Sequence, residues 1–445
     1  MRKILSLVLV FLLVAFTGCT GSEGKALRYD IISDPINLDP QMSSSNTSDL
    51  ILQNTMQGLL KLDETGGIVP AISEEYSLSA DGKTYTFKLN KSIEWSDGKK
   101  VTANDFVFAF RRLMSPETGS DNARKFFVIQ NAKAVNQGLL PSDDLKVSAA
   151  DEYTLVITLK SKSEDFLSLL TTPSAMPCNQ DFFDKTEGKY GLSTQTILAN
   201  GEFLVKKWIK DDYLSLVKNE KYFEAEKVIP KGVTFVVTQQ NEQRFLSDKT
   251  DICYFSGSAK IDLKKYNTQE YYNTVWGMTI NSNNKIISNK NVKKAIRNCF
   301  DIKLIESKLP TNLRIAENGN SVGSSTEKAR EYLRAGLQQL GKQNLNGIEI
   351  IMPDTLPHDK IFSEIAQAWQ EKLGLYVKIK SLPMGEYQDR ITAGKFGLAI
   401  AEKPRGSAYF LPMYNERNVL VWRKEMLGVA KNYADGIINF SSIRK

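Results

Sequence analysis

One segment of the C-terminal half limits the possible folds more than any other. Ile348 to Met352 (IEIIM) is a short apolar run of the kind that fills a buried strand. Lys360 to Leu373 then places Ile361, Phe362, Ile365, Trp369 and Leu373 on one helical face. Gly374 follows as a helix C-cap, and Val377 and Ile379 alternate with lysines in VKIK. Strand, helix and strand in about 30 residues predict a βαβ unit: a parallel pair joined by a right-handed crossover. A second helix over Glu386 to Thr392 and a strand over Phe396 to Ala401 extend it. An amphipathic helix precedes it, with Ala329, Tyr332, Leu333, Leu337 and Leu340 on one side. This half of the chain reads as an α/β lobe.

The N-terminal half has a different grain. Asp49 to Leu62 predicts a short helix that passes into a strand, and Tyr29 to Leu38 begins as a strand that Pro35 interrupts. Tyr85, Phe87 and Leu89 alternate with Thr84, Thr86 and Lys88, and Tyr153, Leu155, Ile157 and Leu159 repeat the same period of two. Asp81-Gly82 and Asp97-Gly98 mark turns. Thr102 and Asp105 read as a capping box, in which the hydroxyl accepts from a helix amide and the carboxylate reaches back. Phe106, Val107, Phe110, Leu113 and Met114 then form the apolar face of a helix.

The first residues form a separate signal. Arg2 and Lys3 precede Ile4 to Phe16, an apolar run broken only by Ser6 and too short to span a bilayer. Phe16-Thr17-Gly18-Cys19 places a small residue before cysteine, as in a bacterial lipobox, with phenylalanine where leucine is usual. The expectation is a signal peptide over residues 1–18, cleavage before Cys19, acylation of its sulfur, and a tether over residues 19–25. Two or more acyl chains hold a protein on a membrane where one does not.

Removal of Arg2 and Lys3 lowers the formal net charge from +7 to +5. The basic residues are scattered apart from pairs such as Lys99-Lys100, so the pattern does not support nucleic-acid binding. Cys178, Cys253 and Cys299 are widely spaced and odd in number, which argues against a disulfide framework. There is no CxxC and one histidine, His358, so a His/Cys metal site is not expected and no cofactor is implied.

Gly319 to Gly323 (GNSVG) fits the G-x-S-x-G pattern of a nucleophile elbow around Ser321. The pattern requires a strand before it and a histidine base. LRIAEN does not read as a buried strand, and His358 lies in a proline-bounded loop, so Ser321 reads as a loop serine and the protein as a non-enzyme. Glu94 and Asp97 resemble a carboxylate pair, but turn chemistry accounts for Asp97-Gly98.

In order along the chain, SDPINLDP, NTMQGLLKLDETGGIVPAISEEYSLSADGKTYTFKLNKSIEWSDGKKVTANDFVFAFRRLMSPETGS, ILANGEFLVKKWIKDDYLSLVKNEKYF, NKNVKKAIRNCFDIKLI and STEKAREYLRAGL resemble the oligopeptide-binding family of extracytoplasmic solute-binding proteins. The stretch from Ile68 to Ser120 is the most specific part. The resemblance implies an α/β, two-lobed periplasmic-binding-protein-like fold with an extra α+β domain inserted in lobe one. Lobe one would take residues 26–44, 166–268 and 411–445, the extra domain 45–165, and a shortened lobe two 269–410. It implies a monomeric lipoprotein that captures oligopeptides and delivers them to ABC permease subunits. Other readings of the same fold are a receptor or sensory lipoprotein, or a binder of another small solute. By position it implies ligand contacts at Ser44, Ser45, Asn46, Phe126, Phe127, Asn200, Gly201, Val275, Trp276 and Gly277. Gly201 and Gly277 would admit close approach of a ligand, and Trp276 would line a side-chain pocket; core packing is the competing role for Trp276 and Phe126.

The sequence departs from the family after Phe396. The usual tryptophan, and the aspartate that pairs with a peptide's α-amino group, are missing between Phe396 and Tyr414. Glu402 is the sole acidic residue in that window. Either it substitutes, or a free α-amine is not clamped in the usual way.

The lipobox reading makes a direct prediction. Cys19→Ser should abolish incorporation of labelled palmitate in bacterial cells and release the protein from the membrane fraction. Label retained by the variant would contradict it.

Overall fold

The computed structural model describes residues 25–43, 45–63, 65–256, 262–301, 306, 309, 313–316, 325–345, 347–354, 356, 359–402, 410–429 and 437–445. Cys19, Ser44, Ser321 and His358 lie outside the described residues. The chain forms two compact units. One runs to Cys253 and regains the chain at Trp422; the other takes Tyr254–Val421.

In the first unit, the strands Phe203–Ile209, Tyr213–Lys218 and Gly232–Val237 form an antiparallel meander. Leu27–Ile31 adds to it in parallel, from Leu27 opposite Val233 to Ile31 opposite Val237. Tyr29, Phe235 and Phe440 meet edge to face with centroids 5.5–5.9 Å apart. Phe440 belongs to the C-terminal tail, which Asn54 holds in place. The Asn54 amide donates to the Ile438 carbonyl at 2.8 Å and accepts from the Phe440 amide at 3.0 Å.

Residues 45–165 cluster with this first unit and contain their own antiparallel sheet, in the order Ser73–Leu78, Thr84–Leu89, Thr154–Thr158, Val147–Asp151. The alternation read in the sequence is real: Tyr85, Phe87 and Leu89 are buried and Lys88 is exposed. The helix Ala103–Met114 packs on this sheet through Phe106, Phe110, Leu113 and Met114, all fully buried.

The start of that helix is the capping box expected, with both reciprocal bonds between Thr102 and Asp105 present and one further bond added. The Thr102 hydroxyl accepts from the Asp105 amide, the Asp105 carboxylate reaches back to the Thr102 amide at 2.8 Å, and the hydroxyl also donates to that carboxylate at 3.1 Å. The buried Trp95 indole and the Asn179 amide also donate to Asp105. Burial pushes the Asp105 carboxyl above its usual range, and these donors offset only part of that. Asp97 accepts from the Lys99 amide beside Gly98 at φ 90°, which is turn chemistry.

At the other end of the helix, Arg112 is buried and paired with Asp39 at 2.6 Å. It also donates to Gln41 at 2.8 Å, and its guanidinium lies 3.9 Å from the Phe183 ring centroid.

The second unit contains the predicted βαβ unit. Ile348–Pro353 pairs in parallel with Val377–Leu382, Ile348 opposite Val377 and Pro353 opposite Leu382, and Asp359–Leu373 is the crossover helix. Gly374 adopts φ 67°, the left-handed conformation that suits a C-cap. Leu398–Glu402 pairs in parallel with the other side of Ile348–Pro353, and antiparallel with Asn267–Ile280. Phe410–Trp422 lies next to Asn267–Ile280. LRIAEN contains more strand than its composition promised: Leu313–Ile315 pairs antiparallel with Tyr414–Glu416, and Leu313 is buried. Three residues gain strand geometry here from the long neighbour rather than from their own pattern. Helices Lys290–Cys299 and Thr326–Leu340 pack closely at Gly336, where a Cβ would come within 2.9 Å of the Val292 side chain.

Asn267–Ile280 and Phe410–Trp422 are neighbours in one sheet, and the units divide at 253/254 and 421/422. The lobe bounds that the resemblance implies are 268/269 and 410/411.

Asp39→Ala should remove the partner of a buried guanidinium and lower unfolding stability by about 3–5 kcal/mol. Urea denaturation measures this; a loss below about 1 kcal/mol would contradict the role given to the pair.

Candidate functional site

The first loop is shaped from beneath. Gln41 donates to the Met176 carbonyl at 3.0 Å, the Ser120 hydroxyl donates to the Gln41 carbonyl at 2.6 Å, and the Asn122 amide donates to the Ser43 carbonyl at 2.7 Å. Ser43 bonds Asp49. Ser45 is the N-cap of the helix Asn46–Thr55, accepting from the Ser48 amide at 3.0 Å. Asn46, the first residue of that helix, is exposed. Ser45 can both cap and face outward, since its exposure is intermediate.

Phe126 is fully buried, edge to face with Phe110 at 5.8 Å, whereas Phe127 is half-buried. Of this aromatic pair only Phe127 keeps accessible surface for a ligand.

Asn200 and Gly201 serve a chain crossing. Asn200 brackets Gln57, accepting from its backbone amide at 3.0 Å and donating to its carbonyl at 3.2 Å. Gly201 donates to the Thr55 carbonyl at 2.9 Å. A Cβ on Gly201 would come within 2.7 Å of the Met56 amide nitrogen, so the close approach this glycine allows is taken by the protein's own backbone.

Below the crossing lies a polar group that sequence reasoning missed. The Gln57 side-chain amide donates to Glu202 at 3.0 Å and to the Tyr222 hydroxyl at 2.5 Å. Glu202 also accepts from Asn439 at 3.4 Å. Its second oxygen, Oε2, and Gln57 Oε1 are buried without a hydrogen-bond partner among the described residues. They line a cavity of about 40 Å³ shared with Lys61, Met176 and Asn439, a space on the scale of one to a few water molecules and too small for a peptide. Burial raises the Glu202 carboxyl above its usual range, partly offset by the charge of Lys61. Burial also raises the Tyr222 phenol, reinforced by Glu202.

In the second unit, Val275 and Trp276 are half-buried on the strand Asn267–Ile280, and Trp276 lies opposite Glu402 across the antiparallel pair. Glu402 is exposed at the end of its strand. Gly277 accommodates the neighbouring strand: a Cβ would fall 2.2 Å from the Leu411 carbonyl oxygen. The Trp276 indole donates to Glu416 at 3.0 Å. Burial raises the Glu416 carboxyl, and the indole hydrogen bond works against that shift. Glu416 was also missed from sequence; it lies two residues beyond the window in which an acidic group was sought.

Among the described residues, no group of three or more His, Cys, Asp or Glu side chains is placed to hold a metal ion. Among them also, no helix is long and apolar enough to cross a membrane.

The profile of the bacterial extracellular solute-binding proteins, family 5 Middle, matches residues 67–416. The chain belongs to the bacterial extracellular solute-binding proteins, family 5. The dipeptide-binding protein DppE of Bacillus subtilis is 27% identical over 96% of this chain and 88% of its own. The oligopeptide-binding protein OppA of Bacillus subtilis is 26% identical over 87% of this chain and 79% of its own. Among solved structures, Listeria monocytogenes OppA bound to peptide superposes with a TM-score of 0.77 at 21% identity, covering 95% of this chain and 99% of that one. At that identity the match concerns the fold, which is the two-lobed periplasmic-binding-protein-like α/β fold. Family 5 is a family of solute-binding proteins, not of enzymes.

The buried carboxylate of Glu202 makes a pH-dependent prediction. A raised folded-state pKa gives stability that is complete below the unfolded value of about 4.3 and lost as pH rises through the folded value. Glu202→Gln keeps the acceptor for Gln57 and removes the charge. It should raise the melting temperature by roughly 2–4 °C at pH 7.5, with the gain shrinking toward pH 4. A gain independent of pH would contradict the assignment.

Proposed function

We propose that this chain is a lipid-anchored, monomeric solute-binding protein that captures oligopeptides outside the cytoplasmic membrane and delivers them to an ABC permease. The observation that carries this reading is the family 5 match over residues 67–416, together with relatives described as dipeptide- and oligopeptide-binding. The protein binds and releases; it does not turn over its ligand.

The chemistry suits a peptide. A binder tolerant of side-chain identity pairs with the ligand's backbone, as an added strand pairs with a sheet edge, and leaves the side chains to roomy pockets. Ser45, Asn46, Phe127, Val275, Trp276 and Glu402 keep accessible surface and are, with Ser44, the ligand contacts in this reading. Phe126, Asn200, Gly201 and Gly277 act behind that surface by fixing the segments that carry it. The anchor at Cys19 keeps the protein close to its permease, which raises the effective concentration for delivery.

A ligand that binds the folded state alone stabilises it by about 2.7 kcal/mol at a hundredfold excess over Kd. Peptides of two to six residues should therefore raise the melting temperature of the purified soluble form by several degrees, while mono- and disaccharides leave it unchanged. A shift from sugars or other solutes with none from peptides would overturn the proposal.

A further inference from the structure

The strand Phe410–Trp422 carries a carboxylate whose only partner among the described residues is neutral. Glu416 is half-buried, and Oε2 accepts from the Trp276 indole at 3.0 Å. Among the described residues it has no ion pair and no second hydrogen bond. The nearest cation in sequence, Arg417, points to the opposite face of the strand and is paired with Glu270. Tyr414, two residues back on the Glu416 face, is buried, and its phenol is raised by burial and by the Glu416 charge.

Desolvating a carboxylate without supplying a cation costs free energy, and one hydrogen bond from a neutral indole offsets part of it. Three other acids of this unit show the usual solution: Glu270 has Arg417, Asp301 has Lys372, and Glu349 has Arg390. Glu416 departs from that rule. Its place also suits a cation, because the indole N–H lies in the ring plane and so meets the carboxylate edge-on. Trp276 then fixes the carboxylate through Oε2 and leaves Oε1 without a hydrogen bond among the described residues.

We infer that Glu416, fixed by Trp276, is the counter-charge for a cationic nitrogen of the ligand, an ammonium group carried by its amino terminus or by a basic side chain. This rests on the peptide-binding reading and deepens it. A ligand ammonium restores the missing half of an ion pair in a partly desolvated place, where a charge-assisted hydrogen bond is stronger than at an open surface. A neutral, acylated ligand leaves Glu416 as it is and gains nothing there. Glu416 thus sets which peptides are preferred, while backbone pairing sets that peptides bind at all.

The test uses three probes on the soluble full-length protein by titration calorimetry: tri-alanine, N-acetyl-tri-alanine, and N-acetyl-Ala-Lys-Ala. The wild-type protein should bind one of the two cationic probes at least about tenfold more tightly than N-acetyl-tri-alanine. Preference for tri-alanine assigns the amino terminus; preference for the lysine peptide assigns the side chain. Glu416→Gln retains an acceptor for the Trp276 indole and should melt no lower than wild type. It should reduce the preference to less than about threefold and leave the affinity for N-acetyl-tri-alanine unchanged. Equal binding of all three by wild type, or a preference that survives Glu416→Gln, overturns the inference and leaves peptide binding standing. Failure of the wild type to bind any of the three overturns the peptide reading and this inference with it.

Discussion

The buried pair of Arg112 and Asp39 organises the first unit. Its guanidinium joins three distant pieces of chain: the Asp39–Gln41 turn, the helix Ala103–Met114, and the segment carrying Cys178, Phe183 and Tyr190. A buried pair of this kind adds little net stability over an apolar replacement, but losing one member is costly. Its value here is positional. With Gln41 fixed by Arg112, Ser120 and the Met176 carbonyl, the chain enters Ser43 and Ser45 in one conformation, and the helix Asn46–Thr55 starts at a defined place. The loop that the family resemblance marks for ligand contact is therefore held by groups that lie under it.

The same division of labour recurs in the second unit. Gly277 lets the strands Asn267–Ile280 and Phe410–Trp422 approach closely, and the approach brings Trp276 to Glu416. Several positions that the resemblance implies as ligand contacts also shape the backbone. Asn200 and Gly201 are spent on the crossing at Thr55–Gln57, and Phe126 on the core beside Phe110.

What was legible in the sequence was what repeats. The βαβ unit over Ile348–Leu382 and the alternation at Tyr85, Phe87 and Leu89 follow from periodicity, which burial enforces residue by residue. The reach-back of Asp105 to Thr102 follows from local capping chemistry. What depends on distant partners was not legible. Leu313–Ile315 is a strand because Tyr414–Glu416 is next to it. Glu202 reads as a surface acid before a strand, yet Gln57, Tyr222 and Asn439 converge around it. Glu416 reads as one charge in NERN, and only the fold sets it against Trp276 while giving Arg417 to Glu270.

Native mass spectrometry of the protein purified from the envelope of its own cells, without added ligand, tests the central claim most directly. The account predicts adducts of several masses, lost on activation, whose fragments are amino-acid residues. A single adduct of uniform mass that yields no amino-acid fragments would contradict it.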